Sequence, residues 1–207
     1  MKRIFENLWQ TETENPFSGL NTHAYVLKVE GVNILMYNTS LISEVDEMAD
    51  VGGIDYQLIS HRHEVGKSLS LIKNKYNSKL CINKLEAGSF KGDVDVYLDQ
   101  NTDIVEGLKV ISTPGHTSGG VCFYYNPPVG KSYLFTGDTY FISNGLLSTL
   151  IFSSHGGNSH DMKCSLLKLK ELSPDFIIPS GSVGEVNILE ITKSEWQEAI
   201  ESSLLNI

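Results

Sequence analysis

An apolar run that ends in two histidines two residues apart, and then opens a helix, leaves few folds to this chain. The stretch is Leu58-Ile59-Ser60-His61-Arg62-His63-Glu64-Val65-Gly66-Lys67-Ser68. The run reads as a short buried strand, and Leu69, Ile72 and Tyr76 then recur on one helical face. In extended chain, side chains at i and i+2 point the same way. His61 and His63 are therefore expected to converge just past a strand end. Paired imidazoles of this kind start a zinc or iron site.

The rest of the chain alternates in the same style. Residues 24–30 and 34–37 read as a hairpin, and Ile42, Val45, Met48 and Ala49 as a short helix. Residues 56–60 and 79–83 read as strands on either side of the helix that follows the histidines. In the second half, residues 94–98, 108–112, 121–125, 133–135 and 176–178 are predicted strands. Residues 165–172 and 193–205 are predicted helices. Residues 113–120, with one Pro and three Gly, cannot be helix. The polar, Gly-rich residues 153–161 are predicted to be loop. Strands alternating with helices make this a layered α/β chain, read as a single domain over residues 1–207.

Composition excludes several classes. The 207 residues are 41% hydrophobic and 20% charged, which suits a globular core. The net charge of −9 comes without a Lys/Arg cluster, so no nucleic-acid partner is expected. No run approaches the roughly 18 apolar residues of a membrane span, and the start lacks the apolar core of a signal peptide. Cys81, Cys122 and Cys164 are odd in number and widely spaced. They read as small buried hydrophobes in a reducing, cytoplasmic compartment. Leu146, Leu147, Leu150, Ile151 and Phe152 read as buried core in preference to a pocket or dimer face.

Three predicted strand ends carry metal-competent side chains: His61 with His63, His116 in Thr113-Pro114-Gly115-His116-Thr117, and Asp138 in Thr136-Gly137-Asp138. Each has an ordinary reading alone, as a hydrogen-bonding His or a turn Asp. Together and in this order they outline a site for one divalent ion. Glu64 is a candidate base, with partnership to Arg62 as its alternative. His155 and His160 are candidate replacement ligands or proton shuttles, and surface loop residues otherwise. His23 reads as a hydrogen-bonding residue. Residues 61–68 come near the phosphate loop of nucleotide hydrolases, but His61 stands where that loop's first Gly supplies the bend.

Taken together, these motifs resemble the metallo-β-lactamase fold superfamily, in particular its glyoxalase II-like members. The likeness spans nearly the whole chain. It rests on His61/His63, the Thr-Pro-Gly-His-Thr at 113–117 and the Thr-Gly-Asp at 136–138. The resemblance implies a four-layer αββα sandwich of mixed α and β structure. It also implies departures, because the family's Asp falls on Val65, its next His on Gly66 and its late His on Gly181. Those positions build the family's second metal site, so one metal is expected, zinc in preference to iron. His61, His63 and His116 are the expected ligands. Asp138 is expected as a fourth ligand or a water-orienting group. The implied activity is hydrolysis of a small ester, thioester or lactone through one metal-activated water. The alternatives are a binding or sensing module that has lost catalysis, and a mononuclear iron dioxygenase. The expected partner is a small molecule, and a homodimer is compatible with the chain.

Overall fold

The computed structural model describes residues Met1–Ile207 and divides them into two compact units, Met1–Leu98 and Asp99–Ile207. The first unit opens with β1 (Lys2–Phe5), β2 (Leu8–Gln10), and a hairpin of β3 (Glu14–Phe17) and β4 (Leu20–Thr22). The expected hairpin follows as β5 (Tyr25–Val29) and β6 (Val32–Met36). Then come α1 (Ile42–Glu47), β7 (Tyr56–Ile59), α2 (Ser68–Tyr76), β8 (Lys79–Ile82) and β9 (Val96–Tyr97). One seven-stranded sheet runs β1-β2-β5-β6-β7-β8-β9. Its β6, β7, β8 and β9 pair in parallel. The first two of these pairings are closed by helical crossovers through α1 and α2, and the third by residues 83–95. Val26 and Leu35 from the sheet pack with Val45 and Met48 of the α1 region and Ile72 of α2. Every second strand residue thus meets a residue spaced three or four along a helix.

The second unit contains β10 (Leu108–Ser112), β11 (Val121–Tyr125), β12 (Tyr133–Gly137), β13 (Phe141–Ser143), β14 (Leu146–Ser148), α3 (Ser159–Lys170), β15 (Phe176–Pro179), β16 (Gly181–Val183), β17 (Leu189–Glu190) and α4 (Lys193–Asn206). A five-stranded sheet runs β10-β11-β12-β15-β17. Cys122, Tyr124, Leu134 and Ile177 on this sheet pack against Met162, Leu166 and Leu169 of α3 and Trp196 and Ile200 of α4. The Trp196 indole N–H, which would be costly to bury alone, donates to the Leu169 carbonyl at 3.0 Å. The β13–β14 hairpin extends from the end of β12, and β13 pairs in parallel with β16.

The result is a mixed α+β protein with several sheets and four helices. No helix is long and apolar enough to cross a membrane.

Several expectations need correction. Residues 153–161 are not wholly loop, because α3 begins at Ser159, six residues before its apolar periodicity shows. The Asn158 side chain accepts from the Asp161 N–H at 2.9 Å, a cap that ends the loop early. Cys81 and Cys122 are buried, whereas Cys164 is exposed on α3 beside His160. Of the apolar run expected to be core, Leu147 and Ile151 pack against it. Leu146, Leu150 and Phe152 stay 72%, 47% and 38% exposed. On β14 the strand turns Leu146 outward and Leu147 inward, while Leu150 and Phe152 lie past its end.

Candidate metal centre

His61 lies one residue past the end of β7, after Ser60, but the segment does not stay extended. Residues Arg62–Glu64 form a turn of 3-10 helix, and His61 itself is the last extended residue. The two imidazoles come together through this turn and not along a strand, with ring centroids 4.9 Å apart and planes nearly perpendicular at 87°. Arg62 is tied off by the buried Glu86, whose carboxylate accepts the Arg62 backbone N–H at 3.1 Å and Nε–H at 2.5 Å. Glu64, expected as a base or a partner of Arg62, is engaged elsewhere. Its Oε2 accepts the Ser60 backbone N–H at 2.8 Å and its Oε1 accepts the Ser60 hydroxyl at 2.5 Å. The same Oε1 lies 3.2 Å from His61 Nδ1.

These contacts fix a tautomer. Ser60 has one hydroxyl proton and gives it to Glu64. Its oxygen, 2.9 Å from His61 Nδ1, must then accept from that nitrogen. Nδ1 of His61 therefore carries the hydrogen, and Nε2 is left with the lone pair that a metal takes. His116 reaches the same state by another route. Its Nδ1 lies 2.8 Å from the Leu150 carbonyl, which can only accept, so Nδ1 carries a hydrogen and the neutral ring bears its lone pair on Nε2. His116 Nε2 lies 3.5 Å from Asp138 Oδ2. That separation suits either a proton on Nε2 shared with the carboxylate or a cation between the two atoms. Ligand atoms about 2.0–2.1 Å from a tetrahedral ion stand roughly 3.4 Å apart.

Asp138 is oriented by a residue the motifs did not single out. Strands β12 and β15 run parallel with Gly137 opposite Pro179, so the next residue of each strand, Asp138 and Ser180, meet. The Ser180 hydroxyl donates to Asp138 Oδ1 at 2.6 Å, leaving Oδ2 for the imidazole side. The register of two predicted strands was the signal that could have found it. His61, His63, His116 and Asp138 each offer a ligand atom, and these atoms all lie within 4.8 Å of one another. His61 and His116 are buried, His63 is exposed, and Asp138 is half-buried. The donor set, three imidazoles and a carboxylate, suits a first-row divalent ion.

The loop that carries His116 is built around close approaches. Gly115 has φ +142°, and a Cβ there would sit 2.5 Å from Met162 Cα at the start of α3. A Cβ on Gly157 would sit 2.3 Å from the His116 carbonyl oxygen. The Phe152 N–H donates to that oxygen at 2.9 Å, and the Phe152 ring meets the His116 ring edge-on at 5.2 Å. Residues 150–157 thus cradle His116.

His155 stacks on Phe152 at 6.0 Å, and His160 lies beside Cys164; neither belongs to the four-residue group. His23 is buried, with Nδ1 3.0 Å from the Thr11 carbonyl, and burial holds its pKa below the usual histidine value.

The positions where the second metal ligands were expected have other uses. Val65 packs with Ile59, Leu69, Leu80 and Ile82. A Cβ on Gly66 would lie 2.9 Å from Asn38 Nδ2, and Asn38 bridges the Glu64 carbonyl and the Ser68 hydroxyl at 3.0 and 2.9 Å. Gly181 is buried at the start of β16. The triple variant Val65→Asp/Gly66→His/Gly181→His should therefore not gain a second ion. Elemental analysis should give no more than one metal per chain, with stability lower by about 2 kcal/mol or more from a carboxylate facing the apolar cluster.

Comparison with known proteins agrees with this geometry. The sequence profile of the metallo-beta-lactamase superfamily matches residues 44–181, more than half of the chain. Among solved structures, a metallo-beta-lactamase from Pontibacter korlensis is 17% identical, with TM-score 0.73, covering 100% of this chain and 98% of that one. ETHE1 from Myxococcus xanthus is 16% identical with TM-score 0.61, covering 90% and 87%. TTHA1623 in a di-iron-bound form is 18% identical with TM-score 0.67, covering 83% and 93%. The match reaches from α1 to the start of β16 and takes in all four residues of the metal-binding group. This chain belongs to the metallo-β-lactamase superfamily.

Proposed function

We propose that the protein is a metal-dependent hydrolase of a small ester, thioester or lactone, with one divalent ion held by His61, His63, His116 and Asp138. The observation that carries this reading is the shared tautomer of His61 and His116, which presents Nε2 lone pairs within a group that also holds a carboxylate. A bound divalent ion polarises a substrate carbonyl and brings the pKa of water near 7. Asp138, with Oδ1 held by Ser180, keeps Oδ2 in place to ligate or to receive a proton. Glu64 acts as a positioning residue, because its carboxylate is taken up by Ser60 and His61. Val65, Gly66 and Gly181 support one ion in place of two. Zinc is favoured over iron by the nitrogen-rich donor set. Three free thiols favour a reducing, cytoplasmic setting.

A second reading, a mononuclear iron dioxygenase, draws on the iron that TTHA1623 holds, although that form carries two ions. Elemental analysis of protein expressed with zinc and iron both supplied, followed by acyl ester and thioester hydrolysis assays, separates the readings. The hydrolase reading expects close to one zinc per chain and turnover abolished by a chelator. Iron with oxygen uptake would favour the dioxygenase. Under about 0.2 metal per chain and no turnover would favour a binding module.

Glu64→Gln should lower metal affinity about 10- to 100-fold, because the imidazole loses its anionic support. Competition with a chromophoric chelator checks this, and a melting temperature near that of the parent protein separates it from unfolding.

A further inference from the structure

The strip that cradles His116 has a second property. Residues 139–154 contain no Asp, Glu, Lys, Arg or His in a chain whose net charge is −9. Within that stretch Leu146, Leu150 and Phe152 are 72%, 47% and 38% exposed, while Leu147 and Ile151 are turned into the core. The exposed residues are not a loose surface patch. The Leu150 carbonyl holds His116 Nδ1 at 2.8 Å, the Phe152 N–H holds the His116 carbonyl at 2.9 Å, and the Phe152 ring abuts the imidazole. The Phe152 ring also stacks with His155, nearly parallel at 19°. An apolar surface is therefore fixed by backbone hydrogen bonds to a residue of the metal group. It has no charged side chain with which to greet a carboxylate, phosphate or ammonium group.

We propose that Leu150 and Phe152 hold the aliphatic acyl chain of the substrate and make the protein prefer medium-chain over short-chain acyl esters or thioesters. This rests on the hydrolase reading, which places the reacting carbonyl beside His116 and Asp138. The chain attached to that carbonyl is the occupant with the chemistry of the strip. Each methylene it buries fully adds about fourfold to affinity, so two to three buried methylenes suffice for more than tenfold selectivity.

The test uses the full-length zinc-loaded protein. p-Nitrophenyl acetate and decanoate are compared by kcat/KM, and acetate and decanoate by titration calorimetry. The decanoyl ester should be preferred more than about tenfold, and decanoate should bind more than about tenfold tighter than acetate. Leu150→Ser should reduce both ratios about tenfold. Using ratios divides out any change in metal content. Equal use and equal binding of the two chain lengths by the parent protein would overturn the proposal. So would an unchanged ratio in Leu150→Ser. Light scattering that shows a dimer lost in Leu146→Ser, with chain preference unaltered, would reassign the strip to a subunit contact and overturn it as well. If neither ester turns over while decanoate binds tightly and Leu150→Ser loses that binding, the acyl-chain site stands and the hydrolase reading falls.

Discussion

His116→Ala should leave a folded protein that holds less than about a tenth of a metal per chain and hydrolyses acyl esters at least ~10³-fold more slowly. The reason lies in how much converges on this residue. Its Nε2 stands 3.5 Å from Asp138 Oδ2, so it forms one edge of the donor set, and its loss leaves that carboxylate facing a gap. Its Nδ1 and carbonyl both anchor the strip that follows β14. A metal is worth several kcal/mol of carbonyl polarisation, and each 1.36 kcal/mol is tenfold in rate, which sets the size of the loss. Circular dichroism separates this from unfolding. A variant that still carried one metal per chain would show that His116 is not a ligand.

Gly157→Ala should be strongly damaging although it touches no side chain of the proposed metal group. The new methyl would lie 2.3 Å from the His116 carbonyl oxygen and 2.5 Å from that of Gly115, both backbone atoms with no rotamer to yield. Either the loop moves away from the start of α3 or the 150–157 strip does. The cost should be about 3 kcal/mol or more, seen as a melting temperature lower by roughly 6–12 °C for a chain of this size. Metal affinity should fall with it, because the displaced carbonyl belongs to His116, one of the four proposed ligands. Gly88→Ala is the control, since a methyl there meets nothing within 4 Å. A Gly157→Ala protein as stable as that control would mean the loop is not packed as tightly as described.

The framework of the fold was legible because it is periodic. Strands β6 to β8 are short apolar runs, helices α1 and α2 place apolar residues three and four apart, and β10 to β12 are flanked by Gly and Pro. The four short strands before β5 were not legible. Glu14, Asn15, Pro16 and Phe17 of β3 carry no alternation, and pairing with a neighbour made that segment a strand. The start of α3 was hidden because Ser159 and His160 are exposed and belong to no apolar stripe. Only the Asn158 cap marked it. The four residues of the metal group were legible as polar residues after apolar runs. Their supports were not. Ser60, Glu64 and Ser180 act through hydrogen bonds that depend on a turn geometry and a strand register, and Leu150 acts through its backbone carbonyl, which no side-chain motif can announce.

Anomalous scattering from crystals of the zinc-loaded protein locates the ion itself. One peak per chain should appear, about 2.0–2.2 Å from a nitrogen of His61, His63 and His116 and an oxygen of Asp138. Two peaks, or one peak that leaves out either His116 or Asp138 along with an imidazole of the His61/His63 pair, would contradict a single four-ligand centre.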